Sequence, residues 1–400
     1  MNKIIPFINT ELIKVITGVR RSGKSMMLRM IQDYLIRQGV SENQFVVMNF
    51  EEIKYEPYLE YHKLNEFIEE QISKIGSKTY IFLDEIQEIE SFEKVINSLR
   101  ASHGLNVDIY ITGSNAKLLS GELASLIGGR YVQFEIYPFK FSEYVEGKKS
   151  IGIDKTNLEF FQSYIIDGGM PFLALQNFEY RDQVSYLSDV YNSIILKDII
   201  ERENVRESEL LRRLLNYIFA NTGRTFSANS IVKYLKNEGM KASPTTILNY
   251  LSYAESAYAV IPLQRYDIQG KKFLSSQEKY YVVDHGLRQA VIGRNEEDIE
   301  LVLENIVLIE LISRGYKVHV GRTHQYEVDF VAERKSEMGM ERLYIQVSYL
   351  LASQETRERE FRALKNINDN FEKMVLSLDV LTSDSDGIAH INLIDWLLEK

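Results

Sequence analysis

Residues 12–25 read LIKVITGVRRSGKS, and this stretch decides the fold of the N-terminal part of the chain. Residues 18–25 match the phosphate-loop pattern G-x-x-x-x-G-K-[ST] at every fixed position, between an apolar strand pattern and an amphipathic helix pattern. Because the motif stands in the strand–loop–helix context that it requires, a chance match in a turn is disfavoured. The predicted ATP-binding residues are Gly18, Val19, Arg20, Arg21, Ser22, Gly23, Lys24 and Ser25.

The chemistry of phosphate binding gives each fixed position of this loop a role. Gly18 and Gly23 allow backbone N–H groups to curl around phosphate oxygens, and the N-terminus of the following helix adds partial positive charge. We expect Lys24 to bridge the β- and γ-phosphates of ATP, and the hydroxyl of Ser25 to be a ligand of Mg²⁺.

A second motif, YIFLDE at residues 80–85, ends an apolar run with two carboxylates. The carboxyl ends of parallel strands carry the functional groups of α/β proteins. We therefore predict that Asp84 holds Mg²⁺ through water and that Glu85 is the catalytic residue that polarises the attacking water. The alternative is that both acids are solvated residues at the start of a helix.

Further candidates follow the next predicted strand, VDIYITGS at residues 107–114. Ser114 or Asn115 could bond the γ-phosphate or the attacking water, or could equally cap the helix pattern AKLLSGELASL that follows. Arg130 begins another predicted strand and could stabilise the transferring phosphoryl group, in cis or toward a neighbouring copy of the chain. The alternative for Arg130 is a surface arginine at a helix C-terminus.

Strand and helix patterns alternate through the first 145 residues, which predicts an α/β fold with a parallel sheet covered by helices on both faces. The chain is then mostly helical to about residue 204. Three short helical patterns and two strand-like segments follow, as in a winged helix, and strands and helices alternate again from residue 279. The predicted domains are a P-loop ATPase domain (1–145), a helical lid or linker (146–205), a winged helix (206–278) and a smaller α/β domain (279–400).

The composition excludes several classes of protein. Hydrophobic residues make up 45% and charged residues 26% of the chain, as in an ordinary globular protein. There is no cysteine, so disulfides, thiolate zinc sites and a cysteine nucleophile are excluded. The N-terminus lacks the features of a signal peptide, and no apolar run is long enough to span a membrane. We expect a cytoplasmic protein without a membrane partner.

The charge is uneven along the chain. The net charge of −10 argues against a protein that coats a polyanion, yet residues 206–275 hold ten basic residues against five acidic ones. Lys233, Lys236 and Lys241 could meet DNA phosphates beside the helix pattern that starts at Ser243. That helix lacks the arginine expected for reading base edges. Winged helices also serve as protein-interaction modules, and we favour a protein partner over DNA.

Taken together, these motifs resemble the AAA+ ATPases, in particular a prokaryotic family with a C-terminal half of unknown function. The segments that carry the resemblance are GVRRSGKS, FLDEIQEI, YITGSNAKLLSGELASLIGGRY and YPFKFSEY, with DGGMPFL, LKDIIERE and KYYVVDHGLR further along. The resemblance covers nearly the whole chain. It implies an AAA-type ATPase domain, a winged-helix middle and a restriction-endonuclease-like C-terminal domain related to PD-(D/E)XK nucleases.

The nuclease resemblance implies a second, weaker candidate metal site. PD-(D/E)XK nucleases bind a divalent metal with a helical Glu, a strand Asp and a Glu-x-Lys pair, and Glu304, Asp329 and residues 346–348 stand at these places. Gln346 removes one charge and Ser348 removes the lysine, so we expect a catalytically degraded domain. The residues that could replace the missing lysine are Lys335 and Arg359. Alternatively, Glu304 is a solvated helix residue and Asp329 pairs with Arg322.

These features favour an Mg²⁺-dependent ATPase that switches or remodels a bound partner, DNA or protein, and that works as a monomer or a homo-oligomer. The alternatives are a nucleotide-gated scaffold or DNA-binding regulator with little turnover, and an ATP-dependent nuclease. Glu85 favours hydrolysis over the scaffold, whereas Gln346 and Ser348 disfavour the nuclease. A kinase has less support, because no phosphoacceptor pocket is recognisable in the sequence.

Overall fold

The computed structural model describes residues 1–115, 127–337 and 339–399, without the side chains of residues 275–277 and 296. The chain divides into two compact units, Met1–Ile136 with Ser256–Tyr258, and Tyr137–Glu255 with Ala259–Lys400. Within the described residues, no helix combines the length and the apolarity needed to cross a membrane. The helix predicted over residues 116–126 lies outside the described residues.

The first unit is built on a five-stranded sheet of order β2-β3-β4-β1-β5, in which every neighbouring pair is parallel. The strands are β1 (Ile13–Thr17), β2 (Phe45–Asn49), β3 (Thr79–Asp84), β4 (Val107–Gly113) and β5 (Tyr131–Glu135), and the helices are α1 (Lys24–Arg37), α2 (Tyr61–Ile75) and α3 (Phe92–His103). Short 3₁₀ helices cover Ile5–Phe7, Glu42–Gln44, Ile53–Tyr58, Ile86–Glu88 and Gly104–Asn106. The predicted parallel sheet is confirmed.

Both faces of this sheet are buried, because successive strand residues point to opposite sides. Val15 joins a core that includes Leu64 of α2 and Leu99 of α3. Ile16, the next residue, joins a separate core with Leu28 of α1. The continuous apolar runs of the sequence are explained by helices that cover both faces of the sheet.

A charged pair is buried between β1 and β4, at the end of the sheet where the strands begin. The ammonium of Lys14 donates to the carboxylate of Asp108 and to the carbonyl O of Thr10, the latter at 3.1 Å. Asp108 also accepts hydrogen bonds from the backbone N–H of Asn9 at 2.8 Å and from the hydroxyl of Tyr110 at 2.9 Å. Burial lowers the pKa of Lys14, against the raising effect of Asp108. The pair therefore depends on complete hydrogen bonding of both charges.

The second unit begins with helices and continues into a mixed sheet. Its helices before the sheet are α4 (Phe141–Ser150), α5 (Asn157–Asp167), α6 (Pro171–Ala174), α7 (Tyr180–Ser193, continued as a π-helix over Ile194–Glu201), α8 (Ser208–Ala220), α9 (Ala228–Asn237) and α10 (Pro244–Ser256). The later helices are α11 (His285–Ile292), α12 (Ile299–Ser313), α13 (Gln354–Lys365) and α14 (Leu393–Leu398), with a 3₁₀ turn at Glu296–Asp298. Phe141 of α4 and Phe160 of α5 share one core with Val307 of α12 and Trp396 of α14.

The sheet of the second unit has seven strands in the order β12-β11-β10-β9-β8-β6-β7. They are β6 (Val260–Asp267), β7 (Lys272–Val282), β8 (Lys317–Arg322), β9 (Glu327–Ser336), β10 (Gly339–Val347), β11 (Glu372–Ser377) and β12 (Ala389–Asn392). The β6–β7 hairpin continues this sheet through parallel pairing of β6 with β8. The domain boundary predicted between residues 278 and 279 falls inside β7.

The segment between α8 and α9 pairs through its backbone with β7 of the same hairpin. The backbone N–H of Gly223 donates to the carbonyl O of Tyr280 at 2.9 Å, and that of Phe226 donates to the carbonyl O of Glu278 at 3.2 Å. Thr225 forms an antiparallel bridge with Lys279. The segment that joins α8 to α9 is thus tied to the hairpin through the backbone.

Two segments that carried the family resemblance meet in a packed junction. A carboxylate oxygen of Asp284 accepts the backbone N–H of Gly169 at 2.6 Å, and the other accepts that of Leu287 at 3.1 Å. A Cβ atom at Gly168 would lie 2.7 Å from the backbone N of Gly286, which leaves no room for a side chain. The motifs DGGMPFL and KYYVVDHGLR therefore have a structural role.

Candidate nucleotide site

The phosphate loop leaves the end of β1 in a backbone conformation that only particular residues adopt. Gly18 and Gly23 have φ values of +143° and +103°, and Arg21 has a φ of +64°. A Cβ atom at Gly18 would lie 2.1 Å from the carbonyl O of Ile136, so this position accepts glycine alone. The loop ends at Lys24, the first residue of α1, so the N-terminus of this helix follows the loop directly.

Two buried polar groups of this loop fit a phosphate. Ser22 is 2% exposed, and its hydroxyl has no hydrogen-bond partner among the described residues. Lys24 is 4% exposed, and its ammonium lies 3.3 Å from the carbonyl O of Val19 and 3.7 Å from the carboxylate of Glu85. A buried hydroxyl without a partner and a buried ammonium are the groups that phosphate oxygens would satisfy.

The predicted magnesium residues are brought together. Asp84 ends β3 and is 5% exposed, and its carboxylate accepts hydrogen bonds from the hydroxyls of Ser25 and Thr112. Burial raises the pKa of Asp84, and the two hydroxyl hydrogen bonds oppose that rise. A carboxylate beside a serine hydroxyl at the start of α1 fits Mg²⁺, which prefers oxygen ligands and keeps several of its waters.

Glu85 is held in place by its backbone as well as by its side chain. Its φ is +55°, a left-handed conformation that is uncommon for a residue other than glycine, and its N–H donates to the hydroxyl of Thr112 at 3.0 Å. Its carboxylate accepts a hydrogen bond from the Gln87 side chain and faces the ammonium of Lys24. Thr112 and Gln87 were not among the predicted site residues, although Thr112 is a polar residue two positions before Ser114.

The other predicted residues fall in different places. Ser114 and Asn115 follow β4 and are buried, at 0% and 6% exposure. Arg130 is exposed and precedes β5, and in the parallel register Tyr131 pairs with Ile13 whereas Glu135 pairs with Thr17. Because the phosphate loop follows Thr17, Arg130 lies at the opposite edge of the sheet from the loop. The structure therefore does not bring Arg130 to the phosphate loop of its own chain.

The second candidate site is a cluster of acids paired with bases. Glu304 lies on α12, where its carboxylate accepts the hydroxyl of Tyr281 at 2.8 Å and lies 3.8 Å from the ammonium of Lys279. Lys279 also pairs with Glu327 at 2.7 Å, and Glu327 pairs in addition with Arg265. The alternative that Glu304 is a solvated helix residue is wrong, because its side chain is only 13% exposed and lies among these partners.

Asp329 completes this cluster on β9. One of its carboxylate oxygens accepts the backbone N–H of Val347 at 2.8 Å. Burial and the neighbouring Glu304 raise the pKa of Asp329 well above its usual range. Arg359, a candidate for the missing lysine's role, pairs with Glu360 at 2.7 Å instead. Among the described residues, no three His, Asp or Glu side chains converge as ligands for a metal ion.

Lys279, the basic residue that pairs with the acids of this cluster, could not be identified from the sequence. Lys279 comes from β7, and it approaches Glu304 and Glu327 only because the hairpin joins the sheet. Burial lowers the pKa of Lys279, but the surrounding carboxylates have the larger combined effect and raise it. The ammonium is therefore a stable internal counter-ion for the acids.

Comparisons with known proteins agree with the fold. Residues 10–145 match a family described as an AAA domain, and residues 158–298 match a domain of unknown function. An uncharacterised protein of Haemophilus influenzae is 36% identical over 400 residues, which is 100% of this chain and 97% of that protein. An uncharacterised protein of Methanocaldococcus jannaschii is 30% identical over 98% of this chain and 86% of its own length.

A solved structure also matches the fold. The Walker-type ATPase of Pyrococcus abyssi is similar with a TM-score of 0.50 and 16% sequence identity, over 73% of this chain and 94% of that protein. At this identity the likeness supports the fold alone. The chain belongs to the family of its Haemophilus and Methanocaldococcus relatives, and its N-terminal part is an AAA-type P-loop ATP-binding domain.

Proposed function

We propose that this chain is an Mg²⁺-dependent ATPase whose nucleotide state controls a bound partner. The observation that carries the proposal is the meeting of Lys24, Ser25, Asp84 and Glu85 at one end of the parallel sheet. These residues supply a phosphate-binding cation, a hydroxyl that would bind Mg²⁺, a carboxylate that would hold it through water, and a second carboxylate for the attacking water.

In this mechanism the loop binds the triphosphate through its backbone N–H groups, the Ser22 hydroxyl and the Lys24 ammonium. Mg²⁺ held near Ser25 and Asp84 would neutralise charge on the phosphate oxygens. Glu85 accepts a proton from the attacking water. The ammonium of Lys24 lies 3.7 Å from the carboxylate of Glu85, which places the phosphate-binding cation and the proposed general base side by side.

The competing candidate is a nucleotide-gated scaffold with little turnover. Phosphate release from ATP by the full chain, with Mg²⁺ and with the metal removed, separates the two. The ATPase proposal expects Mg²⁺-dependent release that is lost in Lys24→Ala together with nucleotide binding. Tight ATP binding with no release above background would support the scaffold.

We propose that Arg130 acts on the nucleotide that is bound to a neighbouring copy of the chain. Its position at the opposite edge of the sheet from the phosphate loop favours a role in trans over a role in cis. In a ring or filament of copies, that edge of one sheet can face the nucleotide of the next copy. We therefore propose that a homo-oligomer is the active form.

Residues 206–278 are proposed as a winged helix that binds the partner. Helices α8–α10, the hairpin and the backbone pairing of Thr225 with Lys279 support this proposal. The region carries exposed basic residues that have no ion-pair partner among the described residues, including Arg224, Lys233, Lys236 and Lys241. These free cations favour duplex DNA as the partner, and a protein is the alternative. Duplex binding that weakens steeply with salt and in Lys233→Glu/Lys236→Glu would support DNA. Duplex binding that changes neither with salt nor in the double variant would favour a protein as the partner.

The acid cluster is proposed to be a structural descendant of a nuclease-like site. Glu304 and Asp329 lie on a helix and on a strand next to Gln346, as the resemblance implies, but Lys279 and Arg265 supply positive charge within the cluster. We expect no plasmid cleavage with Mg²⁺ or Mn²⁺. Cleavage that disappears in Asp329→Ala would instead support an ATP-dependent nuclease.

A further inference from the structure

The second unit carries a row of aromatic and cationic side chains that the ATPase proposal does not use. We call this row the aromatic strip and define it as Phe273, His319, Tyr266, Arg342 and Phe371. The ring of Phe273 lies 4.8 Å from the ring of His319 at an angle of 61°, and 5.3 Å from the ring of Tyr266. The guanidinium of Arg342 lies 5.5 Å from the ring of Tyr266 and 5.1 Å from the ring of Phe371. The contacts are continuous along the strip.

Both ends of the aromatic strip are open to solvent. Phe273 is 50% exposed and Phe371 is 36% exposed. An isolated exposed ring is ordinary on a protein surface. These two rings differ from that case because aromatic and guanidinium groups pack against them, so the rings are held rigidly for stacking with a planar ligand.

His319 gives independent evidence that the strip has a ligand. Its side chain is buried, with the residue 4% exposed, and neither ring nitrogen has a hydrogen-bond partner among the described residues. Burial lowers the pKa of His319, so its ring is neutral and offers one donor and one acceptor. Buried polar groups in proteins are almost always satisfied, and an unsatisfied one costs stability. A polar ligand edge that enters beside Phe273 would satisfy this ring.

Cations surround the Phe273 end of the strip. Lys271, Lys272 and Lys317 are exposed and have no ion-pair partner among the described residues. The ammonium of Lys317 lies 5.8 Å from the Phe273 ring centre. The nearby carboxylate of Asp267 accepts the backbone N–H groups of Gln269 and Gly270, at 3.2 and 2.9 Å, in the hairpin turn. In a chain of net charge −10, this end of the strip is therefore locally basic.

The acids farther along the strip already have basic partners. Glu333 accepts hydrogen bonds from the guanidinium of Arg342, with the Nε bond at 2.7 Å. Asp369 accepts the hydroxyl of Tyr344 at 2.6 Å and lies 3.4 Å from the ammonium of Lys373. These carboxylates hold Arg342 and Tyr344 in place, and the paired cations reduce their repulsion of an anionic ligand.

We propose that the aromatic strip binds single-stranded nucleic acid. An unpaired base stacks on Phe273, its edge bonds His319, and the flanking phosphates lie against Lys271, Lys272 and Lys317. A duplex buries its base faces in its own stack, so it cannot use the Phe273 ring in this way. The proposal goes beyond the ATPase and does not require duplex binding by the winged-helix cations.

The test measures binding of fluorescent oligothymidylate and oligouridylate to the full chain, without nucleotide and at low salt. We expect Phe273→Ala to weaken binding at least about fivefold, the lower range for loss of one base–aromatic stack, and Phe273→Tyr to retain it. Phe172→Ala is the matched control, since Phe172 is 45% exposed and lies outside the strip against Phe178 and Tyr186. We expect the control to bind as the unmodified chain does.

Two further variants separate stacking from charge and from folding defects. His319→Phe keeps an aromatic ring against Phe273 but removes both nitrogens, and we expect weaker binding. Lys271→Glu/Lys272→Glu changes only exposed positions, one in the hairpin turn and one at the start of β7, and we expect it to weaken binding and reduce its salt dependence. Similar affinity for both oligonucleotides indicates recognition of base and phosphate, whereas binding of oligouridylate alone identifies RNA as the ligand.

Three outcomes would overturn the proposal. The first is no binding of either oligonucleotide at low salt, and the second is unchanged binding in Phe273→Ala. The third is an equal loss in Phe273→Ala and Phe172→Ala. Duplex binding is measured in parallel with Lys233→Glu/Lys236→Glu, so failure of the winged-helix proposal is scored separately.

Discussion

The backbone N–H of Glu85 donates a hydrogen bond to the hydroxyl of Thr112 at 3.0 Å. The same hydroxyl donates to the carboxylate of Asp84. One fully buried side chain on β4 thus links the two acids that end β3, one proposed for metal binding and one for water activation. Because Glu85 has a left-handed backbone, this hydrogen bond also stabilises a conformation that is otherwise unfavourable.

We therefore expect Thr112→Val to lower kcat for ATP about 10- to 100-fold, because small errors in the position of a catalytic group have effects of this size. The affinity for ATP should change little, since Thr112 does not belong to the phosphate loop. Thr112→Ser, which keeps the hydroxyl, should restore most of the rate. Steady-state phosphate release and nucleotide titration measure both quantities. A proportional loss of ATP affinity and kcat in the valine variant would argue for general damage to the site.

The buried pair of Lys14 and Asp108 leads to a prediction about stability. Lys14→Met leaves the carboxylate of Asp108 buried without its cation, which we expect to destabilise the fold by about 3–5 kcal/mol. The double variant Lys14→Met/Asp108→Asn should recover much of this loss, because no buried charge remains. Urea unfolding of both variants checks the expectation. Equal stability of the single and double variants would contradict it.

Asp329 gives the acid cluster a pH dependence with a definite sign. Its pKa is raised in the folded chain, so the charged form is disfavoured by folding. The unmodified chain therefore loses stability relative to Asp329→Asn as the pH rises from the ordinary aspartate pKa of about 3.9 through the raised folded value. We expect Asp329→Asn to melt at a higher temperature at pH 7, with the difference vanishing below pH about 4.

The control for this experiment is Asp154→Asn, which neutralises an exposed carboxyl. Its melting temperature should follow that of the unmodified chain across the same pH range. Lower stability of Asp329→Asn than of the unmodified chain at pH 7 would show that the charge of Asp329 is needed in the fold, contrary to our account of the cluster.

Arg130 links turnover to assembly. If it acts toward a neighbouring copy, ATP turnover per chain should rise with protein concentration, and Arg130→Ala should abolish the rise. Mixing Arg130→Ala with Lys24→Ala chains should then restore part of the activity, because each supplies what the other lacks at one shared site. Native mass spectrometry with and without ATP gives the oligomeric state. Turnover that is independent of concentration and unaffected in Arg130→Ala would exclude Arg130 from the reaction.

The sequence predicted those parts of the structure that depend on short stretches of chain. Local patterns of apolar residues and glycines determine the phosphate loop, the strand ending in Asp84 and the parallel sheet. These features could therefore be predicted from the sequence. Thr112 was passed over because a threonine inside an apolar strand is ordinary, and only the pairing of β3 with β4 places it beside Asp84 and Glu85.

Features that depend on pairing between distant segments could not be predicted. Parallel pairing of β6 with β8 joins segments more than 50 residues apart and carries the hairpin into the second sheet. That pairing brings Lys279 to Glu304, which a sequence pattern does not encode. The position of Arg130 likewise depends on the register between β1 and β5, since only the register places it away from the phosphate loop.

The central claim, that the site hydrolyses ATP with distinct roles for its residues, is tested most directly with Glu85→Gln. The measurement is Mg²⁺-dependent phosphate release together with ATP affinity, for the unmodified chain, Glu85→Gln and Lys24→Ala. We expect Glu85→Gln to bind ATP as the unmodified chain does. Its turnover should be slower by a factor of at least about 100, as for loss of a general base. Lys24→Ala should lose binding. Equal loss of ATP binding in both variants, or full turnover by Glu85→Gln, would contradict the account.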